Sequence, residues 1–388
     1  MRETYQRHLC DDVLAWWLAN GPDPDHGGVL TCWDNAGERL VSTDKYTWSQ
    51  GRWAWLATAV ARAADEGVLD VDPQPYRDTA VRTAEFVMRH ALLPDGTSAY
   101  VTDRQGTPGE HLSVFADLFA ALGFAGVARL GDPAWGELAD DVLASAAERI
   151  RAGSYRAEPY PVPQGHRSFA LPMILVGVGE NVHRATGSAA SADVVRDAAA
   201  EVARTFRDGA DIVEMPGPAG GLLTRHRTPG HVLEALWFLH HAGDLVDGWL
   251  PADLADVAAH ALTLGWDTTH GGLLRYTDRD GGEPRGARTD DGYEALVIRT
   301  WDIKLWWPHA EALYTTALLG LWEWHERLRA YTFGTFPAGP GQEWVQIRNR
   351  RGEPLAETVA LPVKDPFHVA RALLLLVQML HDETTEVR

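Results

Sequence analysis

Apolar residues recur at helical spacing along the whole chain, in Ala-rich segments separated by loops that contain Gly, Pro or Asp. Twelve segments show this pattern, and most of them begin or end at residues typical of helix termini. The tenth and eleventh are also compatible with one kinked helix, because little more than Gly320 separates them. The predicted helices are 4–19, 47–65, 74–91, 111–130, 134–151, 168–186, 190–208, 229–246, 251–266, 303–319, 321–333 and 366–381.

Three short strand-like pieces lie between the helices, at residues 27–33, 220–224 and 271–276. Each begins with Gly-Gly and continues with apolar residues, and the recurrence indicates repeated helix-pair units whose loops gather at one end. No Ser/Gly tract, charge block or low-complexity stretch divides the chain. We therefore expect one domain over residues 1–388.

Twelve helices with short connections can form an open solenoid or a closed ring. A solenoid should show a clear repeat with polar caps, whereas the units here are only loosely similar. The pattern therefore favours an all-α closed double ring of six inner and six outer helices. The loops would surround a cleft at one mouth, with short β-hairpins among them, and chemistry is expected there.

The amino-acid composition excludes some classes of binding partner for this protein. With 35 Lys and Arg against 54 Asp and Glu, the formal charge of −19 argues against nucleic acid or an anionic membrane as a partner. No apolar run approaches the roughly 20 residues that span a bilayer, and the N-terminus does not resemble a signal peptide. Cys10 and Cys32 are the only cysteines; one disulfide is left open, but free thiols in the cytoplasm are the simpler expectation.

Sixteen Trp residues are the second compositional signal. Indole rings stack on the C–H faces of sugars, although they also fill large helical cores. A small-molecule sugar is therefore a plausible ligand class.

Two of the segments with candidate chemistry open helices. In residues 45–53, Arg52 is either a surface charge or a ligand anchor. In residues 228–237, His231 and Glu234 are three apart on one helical face, where the carboxylate can orient the imidazole. No second His follows His231 at the spacing of a zinc site, so no metal is predicted there.

Two further helix starts carry a histidine. His309 and Glu311 are two residues apart and point to nearly opposite faces of a regular helix, so at least one of them should be structural. His368 and Arg371 are three apart in the first turn of the last helix. One such His is most often a core residue, but three helix starts that carry one favour an active site.

These segments resemble the signature motifs of the N-acylglucosamine 2-epimerase family, and the resemblance extends from about residue 5 to 381. It implies an (α/α)6 barrel and a cofactor-independent sugar 2-epimerase or isomerase. The matching motifs are Pro-Gly-His-Val-Leu-Glu at 229–234, Lys-Leu-Trp-Trp-Pro-His-Ala-Glu-Ala at 304–312, Pro-Phe-His-Val-Ala-Arg at 366–371, and residues 48–53 with Gln50 and Arg52.

The same family includes cellobiose 2-epimerases and mannose or sulfosugar isomerases. Those branches usually carry a His in a His-x-x-Glu segment of the sixth helix, where this chain has Gly177 and keeps Glu180. They also typically have Gln at the position of His309. Both differences favour the N-acylglucosamine branch, whereas Ala370, at a position where Pro is common, is expected to matter little.

Epimerisation at carbon 2 of an aldose requires removal of a proton and its return to the opposite face. Two histidines, here His231 and His368, can do this without a metal or a cofactor. Glu234 would orient His231, and Arg52 would stabilise the enediolate, with Arg371 as the next candidate. The expected substrate-binding residues are Tyr46, Trp48, Glu180, Trp306, Trp307, His309, Glu311 and Arg371.

Two other functional classes are left open. A glycoside hydrolase would need paired carboxylates, for which Glu180, Glu234 and Glu311 are candidates. A non-catalytic sugar- or protein-binding member of the family is the second. The resemblance also leaves open a nucleotide effector and a homodimer, although residues 334–341 read as a loop and no Walker-type phosphate motif is present.

Overall fold

The computed structural model describes residues 1–289, 291–359 and 361–386, and helices dominate them. Three helices continue into a π-helical turn, at His8–Leu14 after α1, Val87–Ala91 after α4 and Val202–Phe206 after α8. The helices are α1 Arg2–Arg7, α2 Ala15–Asn20, α3 Thr47–Asp65, α4 Gln74–Phe86, α5 Val114–Ala128, α6 Ala134–Arg151, α7 Ala170–Thr186, α8 Ala189–Glu201, α9 Leu222–Arg225, α10 Pro229–His241, α11 Pro251–Gly265, α12 Gly292–Thr300, α13 Trp306–Leu318, α14 Trp322–Thr335 and α15 His368–Glu386.

Six helices form a closed inner ring. In the order α3, α5, α7, α10, α13 and α15, each packs against the next, and α15 contacts α3 to close the ring. The helices α4, α6, α8, α11 and α14 pack outside, each against the inner helix that precedes it, and α1 packs outside α15. The structure thus confirms the all-α (α/α)6 barrel. None of the helices in the described part of the chain is both long and apolar enough to cross a membrane.

Short antiparallel strand pairs join the loops at one mouth of this barrel. The pairs are β1 Lys45–Tyr46 with β2 Val101–Thr102, β3 Arg207–Asp208 with β4 Asp211–Ile212, β5 His226–Arg227 with β6 Thr277–Asp278, and β7 Lys304–Leu305 with β8 Ile347–Arg348. Strands β1, β5 and β7 lead almost directly into inner helices. Their pairing therefore fixes where α3, α10 and α13 begin.

Two of the Gly-Gly hairpins predicted from sequence share one construction. Gly27 and Gly28 have φ of 75° and 73°, and Gly271 and Gly272 have φ of 75° and 71°. Residues with a side chain rarely adopt this left-handed backbone, so glycine is required at each turn. Each hairpin thereby folds back on itself before an inner helix begins.

A buried lysine ties each of these hairpins to the start of its inner helix. Lys45 Nζ lies 3.0 Å from Asp23 Oδ2, and Lys304 Nζ lies 3.1 Å from Asp267 Oδ2. All four side chains are almost completely buried, so each charge is compensated by its partner rather than by water. Corresponding parts of the two halves of the barrel are thus held by the same device.

Two sequence predictions differ from the structure. Residues 220–224 were expected to form a strand, but α9 occupies most of them, because one helical turn lets both Leu222 and Leu223 be buried. The nine residues of α12 were not predicted as a helix, since that length is too short for a clear periodic signal. The tenth and eleventh predicted helices are confirmed as two separate helices, α13 and α14, divided at Gly320, whose φ is 69°.

Candidate active site at the barrel mouth

A cavity of about 230 Å³ opens at the end of the barrel where the inner helices begin. The helix starts turn their unpaired N–H groups and the positive ends of their dipoles toward it, which favours negative charge in the cavity. The lining side chains come from the first two turns of inner helices, from α12 and, in larger number, from loops. The lining includes Trp48, Arg52, Phe115, Met173, Glu214, His231, Glu234, Trp306, Trp307, Asp365 and His368.

His231 stands in the first turn of α10, directly after Pro229 and Gly230. Its Nδ1 lies 2.9 Å from Glu214 Oε1, and because a carboxylate only accepts, Nδ1 carries the proton of this hydrogen bond. Nε2 is the nitrogen that remains for a substrate. Burial would lower the pKa of His231, but the charge and the hydrogen bond of Glu214 outweigh it and raise this pKa above its ordinary value.

Glu214 was not among the residues singled out from the sequence. It lies in the loop after β4, is buried, and has its backbone carbonyl bonded to Phe169 N at the start of α7. The prediction that Glu234 orients His231 is wrong, because Glu214 holds Nδ1 of the ring. The one available signal was an acidic residue inside the apolar stretch at 212–215.

His368 opens α15, and its Nδ1 is also held by a buried carboxylate. The distance from His368 Nδ1 to Glu311 Oε1 is 2.6 Å. Like His231, His368 therefore donates through Nδ1 and keeps Nε2 for a substrate. Both imidazole rings contact the indole of Trp307, with ring centroids 5.2 Å from His231 and 5.8 Å from His368.

Gly230 is what lets Trp307 reach this position. A Cβ atom at residue 230 would lie 2.5 Å from the indole ring, closer than any real contact. The Pro-Gly-His sequence at the start of α10 therefore serves two purposes. Pro begins the helix, and Gly admits the indole ring that both histidines contact.

Arg371 holds two carboxylates together below His368. Its Nη2 lies 2.5 Å from Glu234 Oε1 and 2.7 Å from Glu311 Oε1. Glu311 accepts a third hydrogen bond from Trp237 Nε1 at 2.7 Å. Burial opposes the charged form of Glu311, but Arg371 and His368 keep the pKa of Glu311 well below its ordinary value.

The carboxylates of this network and His368 lie close enough together to resemble a metal site. However, the guanidinium group of Arg371 already bridges Glu234 and Glu311 and supplies the positive charge. These residues are therefore arranged around an arginine. That the chemistry needs no metal and no cofactor stays a prediction.

Arg52 faces the cavity from α3 as a largely desolvated cation. Its guanidinium carbon lies 4.2 Å from the ring centroid of Phe119, and Nη1 lies 3.4 Å from Asp365 Oδ1. Burial lowers the pKa of Arg52 to about 10, so it remains charged at neutral pH. Its Nε has no hydrogen-bond partner among the described residues.

Asp365 links this arginine to the last inner helix. Its Oδ2 accepts from the backbone N–H of His368 at 2.8 Å and from Trp306 Nε1 at 3.2 Å. One carboxylate thus caps the start of α15 and holds a wall of the cleft. Arg52, Trp306 and His368 are positioned together for this reason.

Three of the predicted substrate-binding residues lie outside the cleft. Tyr46 packs edge-on against Tyr100 in the β1–β2 loops, with ring centroids 5.3 Å apart. Glu180 lines a different cavity at the opposite end of the barrel, where it pairs with Arg184. His309, in the first turn of α13, is completely buried. Trp48, Trp306 and Trp307 do line the cleft, while Glu311 and Arg371 lie directly beneath it.

The contacts of His309 explain why it is buried. Its Nδ1 donates to Leu305 O at 2.6 Å, and its Nε2 accepts from Leu273 N at 2.8 Å, which fixes the neutral form. Burial lowers the pKa of His309 to about 3. In the other Gly-Gly hairpin, Gln50 accepts in the same way from Val29 N at 2.7 Å. His309 therefore fixes a hairpin, as Gln50 does, and it does not reach the substrate cleft.

Comparison with known proteins agrees with this geometry. Residues 191–372 match the family model for N-acylglucosamine 2-epimerase (GlcNAc 2-epimerase). The chain is 29% identical over 399 residues to the N-acylglucosamine 2-epimerase of Bos taurus, with 96% of this chain and 89% of that protein covered. The enzyme of Homo sapiens is also 29% identical, at 95% and 88% coverage. The chain belongs to the N-acylglucosamine 2-epimerase family.

Solved structures of sugar epimerases and isomerases share the fold of this N-acylglucosamine 2-epimerase family member. A sugar epimerase from a ruminal bacterium has a TM-score of 0.79 at 16% identity, with 98% of this chain and 99% of that chain covered. The cellobiose 2-epimerase of Spirochaeta thermophila has 0.79 at 18%, covering 99% and 97%. A D-mannose isomerase has 0.75 at 15%, covering 97% of each chain.

Position 177 distinguishes this family member from the branches with a His-x-x-Glu segment. A Cβ atom on Gly177 would lie 2.8 Å from the ring of Phe238, so Phe238 takes the space that a side chain would need. Both residues line the cavity at the far end of the barrel rather than the mouth. The absence of a histidine here is therefore built into the packing of α7 against α10.

Proposed function

We propose that this sugar 2-epimerase interconverts N-acyl-D-glucosamine and N-acyl-D-mannosamine by moving one proton at carbon 2. The observation that carries the proposal is the pairing of two histidines across one cleft. Each donates Nδ1 to a buried carboxylate, each keeps Nε2 free, and both pack against Trp307. Two bases in such an arrangement suit a reaction that must remove and return a proton on opposite faces of one carbon.

In the proposed cycle the open-chain sugar presents carbon 2 between His231 and His368. One imidazole Nε2 takes the proton beside the carbonyl, and an enediolate forms. Arg52 is a cation at the wall of the cleft, and a preorganised donor there stabilises the developing charge by about 3–4 kcal/mol. The other histidine, in its protonated form, then delivers a proton to the opposite face.

The carboxylates support this histidine mechanism rather than hydrolysis of a glycosidic bond. A glycosidase needs one carboxyl group as acid and another as base or nucleophile. Glu234 and Glu311 are both bound to Arg371, and Glu180 is at the other end of the barrel. No two of Glu180, Glu234 and Glu311 are therefore both free to face a sugar in the cleft.

The walls of the cleft support an acylated sugar as substrate. Trp48, Phe115 and Met173 give it an apolar side in addition to the indoles of α13. An acyl group can pack against such a surface, while the sugar stacks its C–H face on an indole ring. We keep aldose–ketose isomerisation as the alternative, with cellobiose epimerisation behind it.

Several expectations about the whole protein stay part of the proposal. They are one catalytic domain over residues 1–388, a cytoplasmic location, a small-molecule sugar as the partner, a homodimer, and a nucleotide as effector. A homodimer would be checked by light scattering of the purified protein. Nucleotide action would be checked by turnover with and without added ATP.

The test is incubation of the purified enzyme in deuterated water with N-acetylmannosamine, mannose, glucose, cellobiose and fructose in separate reactions. We expect conversion of N-acetylmannosamine to N-acetylglucosamine with deuterium at carbon 2, and little reaction of the other sugars. A ketose as main product would replace epimerisation by isomerisation. Release of glucose from cellobiose would replace it by hydrolysis, and absence of label in every sugar would favour a binding protein.

A further inference from the structure

A second cavity, of about 170 Å³, lies at the end of the barrel opposite the mouth. It is lined by the middle and C-terminal parts of the inner helices α3, α5, α7 and α10, and by residues of α15 between Arg371 and Gln378. Only Ile174 and Glu234 line both this cavity and the mouth, among the lining residues that the structure describes. On this side of the barrel, the proposed epimerisation involves Glu234 and the contacts of Arg371 and Trp237 that hold Glu311.

Besides Arg371 in its inner wall, three arginines converge on this cavity, one from the end of each of three neighbouring inner helices. They are Arg62 in the last turn of α3, Arg129 directly after α5, and Arg184 in the last turn of α7. The negative end of a helix dipole favours a cation at each position separately. It does not explain why three cations share one cavity in a chain with a formal charge of −19.

The acidic residues of the cavity compensate only two of these charges. Arg62 Nη2 lies 3.0 Å from Glu66 Oε1, and Arg184 Nε donates to Glu180 Oε1 at 2.7 Å. Arg129 forms no ion pair and no side-chain hydrogen bond with any described residue. Burial and the nearby charges of Arg62 and Arg184 lower the pKa of Arg129.

The three arginines do not lie scattered on an open surface. They line the rim of a partly enclosed pocket whose wall also contains aromatic rings. Trp55 and Trp237 line it together with the arginines. Trp55 Nε1 is already bonded to Asn181 Oδ1 at 2.8 Å, and Trp237 Nε1 to Glu311. The guanidinium group of Arg129 is therefore the rim donor that a ligand can engage without breaking an existing bond.

We propose that this cavity binds a small oxyanion, either free phosphate or a phosphate monoester. Guanidinium groups match the geometry of phosphate oxygens with pairs of parallel N–H donors, and charge-assisted bonds of this kind are the strong ones. A bound anion places a counter-charge beside Arg129 and relieves its repulsion with Arg62 and Arg184. The inner wall includes Trp237 and Arg371, so the anion site lies directly behind the network that holds Glu311.

The test is equilibrium dialysis of the full-length protein with radiolabelled inorganic phosphate at constant ionic strength set by chloride. We expect one phosphate bound per chain. We expect Arg129→Gln to weaken binding at least tenfold, with Arg184→Gln as a second variant in case the first is poorly folded. Arg196→Gln is the matched control, since Arg196 is an exposed arginine on the outer helix α8 and pairs with Asp193; binding to it should equal that of the wild type.

A parallel reaction with glucose 6-phosphate as competitor distinguishes the two sources of the phosphate group. Displacement of the label shows that a phosphate monoester is accepted, and failure to displace it restricts the site to the free ion. No saturable binding by the wild type would overturn the proposal. Unchanged binding to both Arg129→Gln and Arg184→Gln would overturn it as well, because the phosphate would then be bound elsewhere, for example near Arg52.

Discussion

His231 and His368 face the same cleft, but the carboxylates behind them are held differently. Glu214 comes from a loop, and no lysine or arginine among the described residues pairs with it. Glu311 belongs to the inner helix α13, and it shares Arg371 with Glu234 while also accepting from Trp237. The carboxylate behind His231 is therefore not paired with a cationic side chain other than His231 itself. The charge of the carboxylate behind His368 is largely balanced by Arg371.

This difference indicates two separate uses of a histidine–carboxylate pair. Behind His231, the charge of Glu214 overcomes the effect of burial and raises the pKa of the imidazole, which suits a group that has to hold a proton. Behind His368, three donors fix the position of Glu311 within the helical ring. We therefore expect Glu214 to act mainly through charge and Glu311 mainly through position.

The largest effect should follow the loss of either imidazole. His231→Asn and His368→Asn should each lower turnover by about 10²–10⁴-fold, because a general acid/base group contributes about this much. The measurement is the initial rate in both directions, with deuterium incorporation at carbon 2. We expect one variant to keep exchange from the gluco sugar and the other from the manno sugar.

The control for both variants is His240→Asn, a histidine near the end of α10 that is remote from the mouth. It should keep the wild-type rate. If His231→Asn and His368→Asn also kept near-normal turnover, the two-histidine mechanism would be wrong. The remaining cleft residues would then have to supply the bases.

Replacement of the two carboxylates should separate their roles by stability. Glu311→Gln removes one partner of a buried ion-pair network, and changes of this kind cost about 3–5 kcal/mol. Glu214→Gln removes a charged hydrogen bond, worth about 1.5–3 kcal/mol. Urea unfolding of the two variants should therefore show the larger loss for Glu311→Gln. A larger loss of stability for Glu214→Gln would contradict the view that Glu311 acts mainly through position and Glu214 mainly through charge.

The pH dependence of activity should also distinguish the two carboxylates, and here the larger effect is expected for Glu214. Since Glu214 raises the pKa of His231, Glu214→Gln should move the limb of the kcat/KM profile that belongs to His231 toward lower pH. Exposed Glu148 offers a matched control, and Glu148→Gln should leave the profile in place. An unshifted profile in Glu214→Gln would mean that Glu214 only orients the ring.

The ion pair between His231 and Glu214 should also make the stability of the folded protein depend on pH. The folded-state pKa of His231 is raised, so its contribution to stability is complete below the unfolded-state pKa and is lost as the pH rises through the folded-state pKa. The free energies of unfolding of the wild type and of Glu214→Gln, measured in urea, should therefore differ most at pH values near the unfolded-state pKa of His231. The difference should decrease as the pH rises.

The smallest effect on activity is expected at His309, which belongs to neither pair. His309→Gln should keep nearly full turnover, because Gln50 makes the equivalent contact in the other hairpin. His309→Leu should lose about 1–3 kcal/mol by leaving Leu273 N without an acceptor. A large drop in turnover with normal stability in His309→Gln would return this histidine to the catalytic group.

His309 also predicts a loss of stability in acid. Its pKa of about 3 in the folded state is below the ordinary 6.5, so its contribution is present above pH 6.5 and is lost as the pH falls toward 3. His309→Gln should lose less stability than the wild type over this range. Thermal unfolding at a series of pH values measures the difference.

The periodic pattern of the sequence was enough to predict the ring. Eleven of the predicted inner and outer helices lie where the apolar stripes placed them, and the twelfth is the stretch from α1 to α2 that passes through a π-helical turn. Helix starts that carry Arg52, His231 and His368 also predicted one cleft, because the inner helices point the same way. These features depend on local spacing, which a sequence displays directly.

Partners across the ring could not be predicted in the same way. Glu214 is 17 residues from His231 and Arg371 is 137 from Glu234, and no periodic signal connects either pair. The location of Glu180 could have been foreseen. Since α7 begins at Ala170 and each residue adds about 1.5 Å, Glu180 lies about 15 Å along the helix from the mouth.

The contact between Gly177 and Phe238 limits the order in which the packing of α7 against α10 can change. Any side chain at position 177 collides with the ring of Phe238, so a histidine there is harmful as a first mutation. Reduction of Phe238 to a smaller residue leaves a cavity in the core, but it makes the second mutation tolerable. The two positions are therefore epistatic, and an evolutionary route from this sequence to one with a histidine on α7 has to pass through position 238 first.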